Sequence, residues 1–262
     1  MATPAAFAFV LALALLPTTL EAATVTADQV RAALAAASPD HPAQLGKWDM
    51  SHLDLSDVDF RGANLAGADL FATKLVGANL AHANLSGARL DAAWIMRANF
   101  SGAVLVGASL FGPVVYPGLE LTPADAPTFK GADLSGARII ARLTGVDLSR
   151  SKLAGAMMGV DMKNQPMGQM RIDFSSANLV NANLVGADLN RGALSFAKLR
   201  GADLTGANLF GADLGGADLT GASLTGADLT DADLDGTILK EVKGLAAVKG
   251  LDQARNRDKA VY

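Results

Sequence analysis

A leucine returns at every fifth position through residues 63–90, which read ANLAGADLFATKLVGANLAHANLSGARL. That period rules out both regular elements as the unit of folding. On an α-helix each residue advances by ~100°, so leucines five apart scatter around the cylinder in ~140° steps. Along a strand, residues five apart point to opposite sides. A chain that turns a corner once per five residues brings every leucine to a common axis. Tandem repetition of such units makes a solenoid.

The residues around each leucine agree with this. Two places before it stands a small residue, as at Ala63, Ala68 and Ala78, with Asn64, Asp69 and Asn79 between. Residues two apart share a side of an extended chain, so alanine and leucine face in while Asn or Asp faces out. Two places after the leucine come Gly67, Gly77 and Gly87, and later Gly201, Gly206, Gly211, Gly216, Gly221 and Gly226. Glycine tolerates the backbone angles of a tight corner. One large and one small inward side chain per unit suit a narrow core.

These A(D/N)LXX units resemble the pentapeptide-repeat family over most of residues 51–240. The resemblance implies an all-β fold, a right-handed quadrilateral β-helix in which four units make one square coil. It places the central residues inside, among them Leu65, Leu70, Leu80, Leu85, Phe100, Leu204, Leu209, Leu214, Leu219 and Leu229. Some members of the family pair through a C-terminal helix, and some are DNA-mimicking inhibitors or protectors of a topoisomerase, gyrase.

Along the chain, the repeats are expected in three blocks, 51–111, 129–158 and 172–240. A Pro-rich loop at 112–128 and an insertion at 159–171 separate them, and the middle block slips by one residue between Ile139 and Leu143. About eight coils at ~4.8 Å each predict a rod roughly 40 Å long. Both ends need covers against exposed core and unpaired backbone. Residues 23–50 read as a helical cap, with Thr26 and Gln29 as a capping box and Val30, Ala33, Leu34 and Ala37 on one face. In residues 241–262 the spacing of Leu239, Val242, Leu245 and Leu251 suggests a second short α-helical cap, broken by Gly244 and Gly250. The alternative for this tail is a dimerisation surface, so the chain is expected as a monomer or as a dimer through its C-terminal cap. Residues 1–22 carry an apolar run at 5–16 followed by Pro17, the length of a signal-peptide core and too short to span a bilayer. An extracytoplasmic protein, periplasmic or secreted and without a transmembrane segment, is expected.

Little in the sequence points to catalysis or cofactors. The net charge of −4 lacks a basic nucleic-acid footprint, and the absence of cysteine excludes disulfides and thiolate metal sites. His41, His52 and His82 fit no metal-ligand spacing, and no histidine is placed to activate a serine or threonine. No catalytic residue, metal or cofactor is expected. Charge is uneven: residues 130–200 hold ten Lys or Arg against five Asp, whereas residues 201–239 hold seven Asp and neither Lys nor Arg. Asp213 and Asp233 stand one coil apart in that acidic part, which reads as a hydrated surface in preference to a Ca²⁺ site. Trp94 takes an outward position one coil below Val114 and near Tyr116. Either the Pro-rich loop covers it or it anchors a protein partner. The reading that follows is an exported, non-enzymatic scaffold that offers its β-helix faces to a partner protein. Its alternative is the DNA-mimicking topoisomerase inhibitor that the resemblance implies.

Overall fold

The structure, a computed structural model, describes residues 25–115, 123–160 and 171–262. The expected signal peptide, residues 1–22, lies outside the described residues. Each five-residue unit closes on a turn: the Leu65 carbonyl accepts the Ala68 N–H at 3.0 Å, and Leu85 accepts Ala88 at 2.9 Å. The third residue of each turn has positive φ, +66° at Gly67 and +65° at Gly87, as a type II turn requires. Among the described residues, fifteen that are not glycine, including His52, His82 and Phe196, are held in the same region.

Between turns, the chain pairs with itself one coil away. Asn84 donates its N–H to the Ala63 carbonyl at 2.9 Å and accepts the Leu65 N–H at 2.7 Å. Such parallel bridges recur at a separation of twenty residues in the regular blocks, and they fall into four ladders. We name each by its first residue: Gln44, Asp49, Asp54 and Asp59. Four bridges make one turn of the solenoid, and ten turns run from Gln44 to Val261.

Irregular stretches are absorbed at corners without loss of register. Fourteen residues separate Val114 from Thr128 and sixteen separate Met157 from Asp173, in place of the usual five, yet both insertions return the chain to its proper ladder. The one-residue slip falls between Arg138 and Arg142. There β1 (Ser109–Phe111) pairs in parallel with β2 (Arg138–Ile140), Leu110 opposite Ile139; Ile139 and Ala141 join the core, and Ile140 between them is buried outside it.

The core is a stack of aliphatic rungs. Leu65, Leu70, Leu80, Leu85, Phe100, Leu204, Leu209, Leu219 and Leu229 have no exposure, and Leu214 has 1%. Phe100 and Phe129 stack face to face with centroids 4.7 Å apart. Where a hydroxyl replaces the inward alanine it donates to a main-chain carbonyl, Thr73 to Met50 and Thr237 to Leu214, both at 2.8 Å. Burying those polar groups is therefore compensated.

Both ends differ from the sequence expectation. The helix α1 (Ala27–Ala35) has the capping box, with Thr26 N–H donating to Gln29 Oε1 at 2.8 Å, and Val30 is buried in the core. The first coil begins at Gln44, however, so residues 43–50 belong to the solenoid and not to a helical cap. The tail is not α-helical. Lys243, Lys249, Arg255 and Val261 bridge to the coil before, spaced by six residues, and 3-10 turns occupy Leu245–Ala247 and Arg257–Lys259. Apolar residues three and six apart suit these longer edges as well as they suit a helix. The expected C-terminal helix is a tenth, wider coil.

Candidate interaction surface

Trp94 sits on the Asp54 ladder, which continues Asp54, Lys74, Trp94, Val114. Its own N–H and carbonyl both bond to the coil before, donating to Thr73 O at 2.9 Å and accepting the Leu75 N–H at 2.8 Å, while the flanking Ala93 carbonyl and Ile95 N–H bond Val114 of the coil after at 2.8 and 2.9 Å. The indole therefore leaves a rigid support. It is 42% exposed, whereas Val114 beside it is half-buried. The neighbouring outward positions hold buried Met96, two residues on, and half-buried Val76, one coil below Met96, so the patch is apolar on that side. Lys74, paired with Asp54 at 3.6 Å, and Arg97, paired with Asp125 at 3.6 Å, border it with charge. Tyr116 lies outside the described residues.

The Pro-rich insertion leaves the solenoid at this patch. Val115 is buried on the outgoing side, and the 3-10 turn Pro123–Asp125 marks the return, where the Arg97 N–H donates to the Asp125 carbonyl at 2.8 Å. Trp94 thus stands where the loop is anchored.

Asp213 and Asp233 bridge one another farther along the same ladder. Neither is an isolated carboxylate. Asp213 accepts from Ser195 Oγ at 2.7 Å and from the Gly215 N–H at 3.0 Å. Asp233 accepts from the Asn256 amide at 2.9 Å and faces Arg255 at 3.9 Å. The Asn256 hydrogen bond, helped by the Asp235 N–H and by Arg255 and Lys259, outweighs partial burial and holds the Asp233 carboxyl below its ordinary value. Thr230 hydrogen bonds and Lys249 do the same for Asp228.

The sequence reading missed these cations because they lie beyond residue 239. A tail read as a helix places them anywhere, whereas a tenth coil stacks Lys249 on Asp228 and Arg255 on Asp233. Among the described residues no group of three or more His, Asp or Glu side chains converges as a metal site would. His52 and His82 stand two corners apart. His52 packs edge-on against Phe71 at 5.3 Å, and His82 lies over Gly102.

A second aromatic feature was not anticipated. Along the Asp49 ladder, Arg89 covers the Phe71 ring at 4.2 Å and Arg138 covers Phe111 at 4.9 Å. These cation–π contacts shield rings that a sequence reading counts as exposed. Trp94 has no such cover among the described residues.

Pentapeptide repeats, in eight copies, match residues 43–75, 54–91, 63–102, 73–110, 170–206 and 202–241. The chain belongs to the pentapeptide-repeat family. Members are right-handed β-helix solenoids, and both insertions and the slip fall between the ranges 73–110 and 170–206. HetL, a pentapeptide repeat protein involved in heterocyst differentiation regulation from the cyanobacterium Nostoc sp. strain PCC 7120, is similar at 27% identity and a TM-score of 0.55, covering 90% of this chain and 94% of its own. Rfr23 from the cyanobacterium Cyanothece 51142 has 26% identity and a TM-score of 0.34, covering 50% of this chain and 90% of its own. QnrB1, a plasmid-mediated fluoroquinolone resistance protein, has 20% identity and a TM-score of 0.32, covering 79% and 88%. None of the curated proteins compared matches the chain.

Proposed function

We propose that this pentapeptide-repeat protein is a non-catalytic, exported scaffold that holds a protein partner at Trp94. The carrying observation is an indole 42% exposed on a short segment, 93–95, whose main chain is hydrogen-bonded to the coils before and after it. A rigid aromatic loses little entropy on docking, and aromatic anchors with a charged rim dominate protein interfaces. The four bridges per turn support a quadrilateral tube whose flat sides present such anchors, with α1 covering one end. Export rests on the apolar run at 5–16, and no described helix is long and apolar enough to cross a membrane.

The topoisomerase-inhibitor reading has weaker support. A DNA-like surface needs a run of uncompensated negative charge, and here Arg200, Arg255 and Lys259 lie 3.3–3.9 Å from Asp218, Asp233 and Asp235.

A photo-reactive residue at position 94, in cells expressing the full chain, tests the reading. We expect one discrete protein adduct, absent when the same residue replaces Ser149, and a mature protein shortened by about the length of a signal peptide. Equal labelling at both positions overturns the anchor. An intact Met1 on cytoplasmic protein overturns export.

A further inference from the structure

Outward positions of the Gln44 ladder are the residue before each core leucine and the residue after it. From the second coil to the ninth, only Asp133, Lys152 and Asp203 are charged there. Three of the exposed large hydrophobics lie on this ladder: Val104 at 37%, Val106 at 42% and Val185 at 36%. Their placing is symmetric. Val104 and Val106 stand on the fourth coil, Asp133 on the fifth, Lys152 on the sixth, and Asn183 and Val185 on the seventh.

We propose that this face packs against the same face of a second copy, about a two-fold axis that runs along the strand direction between the fifth and sixth coils. Such an axis reverses the order of coils and keeps the strand direction. Coil four then meets coil seven, and coil five meets coil six. Val106 opposes Val185 and Asp133 opposes Lys152, each contact made twice, as an isologous interface demands. Farther out, Asn84 opposes Asp203 and Ser86 opposes Thr205, so no like charges meet. Asp133 and Lys152 already approach at 3.3 Å within one chain, and pairing two copies joins them into a compact cluster of alternating charge. The other two-fold arrangement, with its axis along the rod, faces Asp133 with Ser135 and brings no opposite charges together. Charge self-complementarity therefore selects a second copy as occupant and the antiparallel arrangement as its geometry. The inference does not depend on Trp94, which stands on a different ladder.

The chain contains no cysteine, which makes the geometry testable directly. Val106→Cys and Val185→Cys are prepared as separate full-length proteins. Residue 106 is three coils from its own copy in the dimer, about 14 Å, beyond disulfide reach. Mild oxidation should leave each variant uncrosslinked alone and give a disulfide-linked dimer when the two are mixed. Sedimentation should show Lys152→Asp raising the dimer dissociation constant at least about tenfold. The swap of Asp133→Lys with Lys152→Asp should restore it. All positions face solvent, so an unchanged circular dichroism spectrum verifies each variant. A monomer at every concentration, a dimer whose mixture does not crosslink, or a dimer indifferent to Lys152→Asp overturns the proposal.

Discussion

The small inward position shows how closely single residues are matched between coils. Alanine fills it in most units, but Ile172 occupies it with no exposure, and one coil later on the same ladder stands Gly192. A Cβ on Gly192 would lie 2.9 Å from Ile172 Cγ2 and 3.0 Å from the Leu189 carbonyl. The missing methyl of one coil makes room for the extra methylenes of the next. Gly192→Ala, which installs the commonest residue at this site, should therefore destabilise the protein by about 1–3 kcal/mol through overpacking. In an Ile172→Ala background, which carries its own cavity cost, the same Gly192→Ala change should cost much less. Denaturant unfolding of the four proteins checks it: additive effects would mean the two residues do not share space. Which residues point inward was legible from spacing alone, because Leu65 and Ala63 repeat with the corner. That Ile172 and Gly192 compensate one another was not, since it depends on which units stack.

At the scale of elements, the tenth coil is the least secured part of the solenoid. Val242, Leu245, Val248 and Leu251 are only half-buried, whereas Leu224, Leu229 and Leu234 of the ninth coil have no exposure. Such a segment belongs to the low end of local stability. Its ion pairs are partly exposed, and each contributes no more than about 0.2–1 kcal/mol. Asp233 nonetheless ties it to the coil before through Asn256 and Arg255, and its carboxyl sits below the ordinary 3.8. Groups with a depressed folded-state value stabilise fully above the unfolded value and lose that contribution as pH falls through the folded one. Hydrogen exchange should thus show amides of 243–262 losing protection before those of 203–239 as pH drops below about 4, once intrinsic rates are corrected. Simultaneous loss would show that the coil unfolds only with the rod. The sequence left this element open because aliphatic residues spaced by three and six satisfy a helix and a six-residue edge alike. Gly244 and Gly250, six apart and both at positive φ, are the signal that separates the two.

Over the whole molecule, ten coils at ~4.8 Å make a rod roughly 45 Å long, with Val30 of α1 buried in the core and the wide coil last along the chain. Because each coil touches only its neighbours, an insertion at one corner leaves the ladders on either side unchanged. That is why the register returns at Thr128 and at Asp173 after stretches whose sequence has no repeat. A rod has two ways to pair with its copy, and they differ in shape. Pairing through the tail joins rods end to end, roughly doubling the longest dimension at constant cross-section. Pairing through the Gln44 ladder keeps the length and doubles the cross-section, because the two-fold axis lies midway along the ladder between Asp133 and Lys152. Small-angle scattering of the dimer separates these outcomes without any mutation. The side-by-side arrangement predicts a longest dimension well short of twice the monomer's and a cross-sectional radius clearly above it. A profile twice as long with an unchanged cross-section would move the interface to the tenth coil, where half-buried Leu245 and Leu251 stand at the end of the core.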